Sequence, residues 1–171
     1  MLLCGEMVIG MKLYIKQKVF SWRDRFAVKN ENGADRWFAQ GEIFSWGRKL
    51  HIYNVSGREA AFVRQKLMTF LPRYFIELGG AVYTMKKELT LLRPRFSIEG
   101  VPWQMSGDVW AHEYELYDAV GPVMRMAKHW FTWGDSYELD IPNPANELLC
   151  LCIALTVDCM KADADAASHS S

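Results

Sequence analysis

Three groups of side chains in this sequence are of types that do chemistry: four histidines, a cysteine cluster near the carboxyl end, and carboxylates gathered in one short phrase. His112 and Glu113 adjoin in AHEYE, but a zinc-peptidase helix needs a second His four residues from the first, and the alternation here is that of a strand. His129 sits in a column that elsewhere holds Lys18, Lys66 and Glu88. Both histidines are expected to be structural or solvated; His51 and His169 stand apart from them. Cys150, Cys152 and Cys159 are metal ligands by type. On a helix Cys152 and Cys159 share a face and Cys150 does not, so packing as small hydrophobes is the expectation. Asp135, Glu138 and Asp140 in GDSYELDI invite an acid–base pairing, yet Glu138 and Asp140 share a strand face beside a turn, where carboxylates are commonly solvated. The motifs G-x-x-x-x-G-K-S/T, G-x-G-x-x-G and G-x-S-x-G do not occur. The expectation is no catalytic residue, no metal and no cofactor.

What remains is charge. The 20 Lys plus Arg cancel the 20 Asp plus Glu, which argues against a polycation wrapped on nucleic acid. The charges are unevenly placed. Residues 11 to 95 carry 17 basic against 7 acidic side chains, a net +10, and residues 96 to 171 carry 3 against 12, a net −9. Such a dipole favours an oriented encounter with an anionic surface, and the same asymmetry also arises when two halves of a fold pair with each other.

An internal repeat organises the basic residues. IKQKVFSWRDRFAV from Ile15, VRQKLMTFLPRYFI from Val63, MKKELTLLRPRFSI from Met85 and MAKHWFTWGDSYEL from Met126 align without gaps, each reading as strand, turn, strand. Phe26, Tyr74, Phe96 and Tyr137 hold one column after the turn, as expected if each hairpin gives an aromatic to a shared core. Lys16, Lys18, Arg23 and Arg25 in the first copy, Arg64, Lys66 and Arg73 in the second, and Lys86, Lys87, Arg93 and Arg95 in the third recur in columns and form a candidate anion-binding band. The alternative for any one of them is a solvated barrel wall.

A larger repeat sets Phe38 onward against Trp103 onward, with Gly41 beside Gly107 and Tyr53 beside Tyr117. Turns at 30–33, 54–57, 79–80 and 118–122 punctuate β-rich segments at spacings that suit an antiparallel meander. Many strands without long amphipathic helices between them imply a closed barrel or a sandwich.

The carboxyl end differs. Asn143 and Pro144 suit a helix start, and the ten residues from Leu148 to Val157 are uncharged and apolar on nearly every face. Such a helix must be surrounded, and it is far short of the roughly 20 residues that span a bilayer. The expected organisation is an extension at 1–10, one domain at 11–161 with its helix at 143–161, and a flexible tail at 162–171. No leader pattern opens the chain, and reduced thiols in the cytoplasm are expected.

The phrases KLYIKQKVFSWRDRFAV, FVRQKLMTFLPRYFI, SIEG and KHWFTWGDSYELDI, followed by the apolar helix, resemble the LURP-one-related proteins over about residues 11 to 160. The resemblance implies a mainly β fold like the tubby C-terminal domain: a closed antiparallel β-barrel of about twelve strands, in two related halves, around a central hydrophobic C-terminal helix. Phospholipid scramblases look like distant relatives. The tubby domain binds phosphoinositide head groups, but no local motif here lines up with its binding residues. The functional expectation is a non-enzymatic cytosolic binding or scaffold domain, engaging anionic phospholipid or a protein partner through the basic band, at most peripheral at the membrane. The alternatives are a scramblase-like membrane-associated protein and a small-ligand enzyme with its site at a barrel mouth.

Overall fold

The computed structural model describes residues 10–16, 25–42, 44–91, 93–131 and 134–169. Twelve strands run in order: β1 (Met11–Lys16), β2 (Phe26–Asn30), β3 (Asp35–Gly41), β4 (Lys49–Asn54), β5 (Glu59–Gln65), β6 (Arg73–Leu78), β7 (Ala81–Lys87), β8 (Phe96–Glu99), β9 (Gln104–Asp108), β10 (Glu113–Tyr117), β11 (Pro122–Phe131) and β12 (Gly134–Ile141). All pair antiparallel in one sheet, β8-β7-β6-β5-β4-β3-β2-β1-β12-β11-β10-β9. The sheet curls until β8 and β9 touch, so the barrel is nearly closed, with no ladder between those two strands among the described residues.

Local chemistry accounts for the reversals. Asn30 and Asn54 fold their side-chain oxygens onto backbone N–H groups two and four residues on, and Asp118 accepts from Val120 and Gly121. Gly107 has φ +116, and a Cβ there would lie 2.5 Å from the Glu113 carbonyl oxygen, so this close crossing of β9 and β10 requires glycine.

The repeat is structural. Its four copies are the hairpins β1–β2, β5–β6, β7–β8 and β11–β12, and Phe26, Tyr74, Phe96 and Tyr137 are all buried in the core. Strands β1–β6 and β7–β12 thus form corresponding halves, each opening and closing on a repeat hairpin.

The helix α1 (Glu147–His169) fills the barrel. Asn143 caps a single 3-10 turn at Pro144–Asn146, accepting from the Ala145 N–H at 3.0 Å, and the α-helix proper begins at Glu147. From Leu149 to Met160 every residue is buried, including Cys150, Cys152 and Cys159, because strands surround the helix on all sides. Burying each Leu, Ile or Val there contributes about 1.5–3 kcal/mol. The helix continues to His169, past the expected end at 161. Four alanines between 162 and 167, the best helix formers, extend it where small polar composition suggested a tail.

Glu147 is also buried. Arg36 donates to both its oxygens, from Nε at 2.8 Å and Nη2 at 2.7 Å, and Trp37 Nε1 donates at 2.7 Å. The bonds that make this burial tolerable also pin the helix start to β3.

Candidate functional site

In an up-and-down meander the connections alternate between the two ends of the barrel. The β1–β2, β3–β4, β5–β6, β7–β8, β9–β10 and β11–β12 connections therefore share one end, hereafter the hairpin end, and the start of α1 lies at the other. Every described residue of the expected basic band falls at the hairpin end. Lys16 closes β1, Arg25 precedes β2, Arg64 and Lys66 lie at the end of β5, Arg73 opens β6, Lys86 and Lys87 end β7, and Arg93 and Arg95 precede β8. Lys18 and Arg23 lie outside the described residues.

Register sorts these residues by face. Buried Val63, Tyr74, Met85 and Phe96 point inward, so Arg64, Lys66, Arg73, Lys86 and Arg95 take the outer face. Lys66 donates its backbone N–H to the Arg73 carbonyl at 2.8 Å, and Arg73 is the register partner of Lys86. Lys66, Arg73 and Lys86 thus form one row across three adjacent strands. Arg95 stands one step nearer the rim, opposite Glu88. Lys87 follows the inward alternation, its Nζ 5.7 Å from the centre of the Trp110 ring. Arg25 leaves the row for another part of the wall, its guanidinium 4.2 Å from the Phe38 ring centre.

The cations are not equally committed. Arg64 is paired with Glu77 at 2.7 Å, and Lys86 is paired with Glu99. Among the described residues no ion pair involves Lys16, Arg25, Lys66, Arg73, Lys87, Arg93 or Arg95. The row is therefore a set of like charges held side by side with one internal counter-charge, an arrangement that costs folding free energy and favours an external anion.

A polar cleft of about 340 Å³ opens at the same end between Glu42, Ser45, Arg48, Lys49, Gln65 and Asp163. Its charges are already matched. Arg48 pairs with Asp163, which also accepts from Gln65 at 3.1 Å and from the Tyr74 hydroxyl at 2.6 Å. Lys49 and His51 hold the Glu42 carboxyl below its ordinary range. These bonds tie the emerging helix to β4, β5 and β6 and leave no uncommitted cation for a ligand. Asp163 was invisible as a site residue in the sequence because it stands in the small polar stretch after the apolar run.

Two histidines among the described residues meet carboxylates: His51 lies on the outer wall between Glu59 at 2.7 Å and Glu42 at 3.0 Å, and the other pair is walled in. His112 Nε2 and Asp158 Oδ1 are hydrogen-bonded, each residue is 4% exposed, and the His112 ring stacks on Tyr137 with centroids 4.1 Å apart. Burial pushes the Asp158 carboxyl above its ordinary range, against the opposing pull of His112. The Tyr114 hydroxyl and Asp158 Oδ2 are buried without a partner among the described residues. The described residues enclose this pair almost completely. Glu138 faces outward and accepts from Lys12 at 2.7 Å, as a wall ion pair does. Burial raises the Cys150 thiol to about 12, and among the described residues no group of three His, Cys, Asp or Glu is arranged to hold a metal ion. No described helix is long and apolar enough to cross a membrane.

Comparison with known proteins places this geometry. A family model described as LURP-one-related matches residues 11–158. An uncharacterized protein of Bacillus subtilis, YxjI, is 37% identical over 149 residues, covering 86% of this chain and 92% of its own. A solved protein of Arabidopsis thaliana superposes with a TM-score of 0.60 at 15% identity, over 88% of this chain and 93% of that one, which is a likeness of fold.

Proposed function

The chain belongs to the LURP-one-related family, and on that premise we propose that it is a non-enzymatic binding domain that engages anionic phospholipid head groups through the hairpin end of its barrel, peripherally and from the cytoplasm. The observation that carries this reading is the outer-face row Lys66–Arg73–Lys86, with Arg95 beside it, standing at one barrel end. An array of ammonium and guanidinium groups facing one way is complementary to a surface of phosphates. The barrel interior is taken up by α1, and the buried His112–Asp158 pair does not face solvent, so the working surface is the outside of the molecule.

Flotation with vesicles of phosphatidylcholine alone, and of phosphatidylcholine with phosphatidylserine or a phosphoinositide, tests the reading. Binding is expected only with the anionic lipids and is expected to weaken with salt. Each basic side chain at an anionic leaflet contributes about 1 kcal/mol, so the double reversal Arg73→Glu, Arg95→Glu should reduce partition by at least about tenfold. Binding that is unchanged by that reversal removes the patch from consideration.

A further inference from the structure

The hairpin end is not only basic. Phe44 and Trp46 in the β3–β4 connection, Met68 and Phe70 in the β5–β6 connection, and Leu91 in the β7–β8 connection are each at least 90% exposed, and Leu89 is 78% exposed. Three connections at one end thus hold large apolar side chains out into water. Single exposed hydrophobes are ordinary, but a cluster rimmed by polar residues marks an interaction surface. At the opposite end the large exposed apolar residues among the described ones are Val55, Val82, Tyr117 and Val120, of which only Val120 is more than 90% exposed.

Met68 adds an independent observation. Its backbone lies at φ 57, in the left-handed region that glycine or asparagine adopts at lower cost, and its side chain is fully exposed. The sequence keeps a large apolar side chain where both backbone and solvent disfavour it. His112, the other described non-glycine residue in this region, is buried in the structure, so Met68 alone combines the two costs, and an outlier of this kind points to use.

The strand ends behind the tips are mainly basic, although Glu88 stands opposite Arg95. Lys66, Arg73 and Arg95, without ion pairs among the described residues, lie just behind the tips on the strand ends. Apolar tips ahead of a basic collar match an anionic bilayer, whose acyl chains lie behind a layer of phosphates. A symmetric second copy is the poorer match, because it would set one basic collar against another.

We infer that the tips of the β3–β4, β5–β6 and β7–β8 connections insert among the acyl chains of an anionic bilayer, so that the barrel stands on the leaflet with its collar at the head groups. This rests on the head-group reading above and deepens it. The collar supplies attraction that salt screens, and the tips supply attraction that salt does not screen.

The test compares the native chain with the triple variant Trp46→Ser, Phe70→Ser, Leu91→Ser, whose collar is intact and whose substitutions are all at exposed positions. Circular dichroism establishes that the variant is folded. Vesicle partition is measured at low and high salt, with surface pressure on a monolayer of the same anionic lipid. The native chain should retain binding at high salt and raise the pressure. The variant should still bind anionic vesicles at low salt, lose at least about tenfold in partition at high salt, and leave the pressure unchanged. A variant that matches the native chain in both measurements overturns insertion while leaving the collar reading intact. A native chain that binds no anionic vesicle overturns both. Sedimentation showing a native dimer that the triple variant abolishes, with vesicle binding unaffected, overturns insertion and assigns the tips to self-association.

Discussion

Arg73 of β6 and Lys86 of β7 occupy one register position on the outside of the barrel, two cations facing each other across a ladder. Like charges placed directly opposite each other cost roughly 0.2–1 kcal/mol relative to neutral residues. Glu99 relieves Lys86, and no described carboxylate pairs with Arg73. Arg73→Glu should therefore leave the thermal midpoint unchanged or raise it while vesicle binding falls. A variant that loses more than about 1 kcal/mol of stability and binds normally would place Arg73 in the structural wall instead.

Met68→Gly separates fold from use in the same way at the tip of the β5–β6 connection. Relief of the left-handed backbone is worth roughly 1 kcal/mol, less the added freedom of glycine in the unfolded chain. The denaturant midpoint should hold or rise, and salt-resistant vesicle binding should decrease. A clear loss of stability contradicts the strain argument.

The enclosed helix has a chemical signature. Burial raises the thiols of Cys150, Cys152 and Cys159, that of Cys150 to about 12, so none is a thiolate near neutral pH. A maleimide should leave all three unmodified in the native protein and modify all three after guanidinium, read by peptide mass. Native-state labelling at Cys152 or Cys159 contradicts the enclosure of α1.

The buried carboxyl gives a pH dependence of definite sign. The folded pKa of Asp158 is raised, so its contribution to stability is complete below the ordinary carboxylate value of about 4 and is lost as pH rises through the folded value. Asp158→Asn stays neutral throughout and keeps an oxygen for His112. The stability of the variant relative to the native chain should therefore increase as pH rises above about 4. Denaturant midpoints from acid to neutral pH check this, and a pH-independent difference between the two chains contradicts it.

These features were unequally legible in the sequence. The hairpins could be read because a gapless repeat carries its own turn signals, and the column Phe26, Tyr74, Phe96, Tyr137 announced a shared core. The helix could be read because apolar residues on every face require an enclosure. The contact of His112 with Asp158 spans 46 positions and depends on where the barrel places the β9–β10 connection against α1, which no local pattern encodes. Phe44, Trp46, Met68, Phe70, Leu89 and Leu91 are not legible as exposed tips, because a hydrophobic residue in a sequence reads as core until its strand has ended. The gathering of the basic columns at one end was implicit in the meander, since alternate connections must share an end, but the inward turn of Lys87 and the pairing of Arg64 needed coordinates.

The orientation of the barrel on a membrane is tested most directly by amide hydrogen exchange with and without anionic vesicles. Protection is predicted at residues 44–48, 67–72 and 88–91, with no change at the turns 55–58, 79–80 and 118–121. Protection at those far-end turns, or vesicle-bound protein with no protection at the hairpin end, would contradict it.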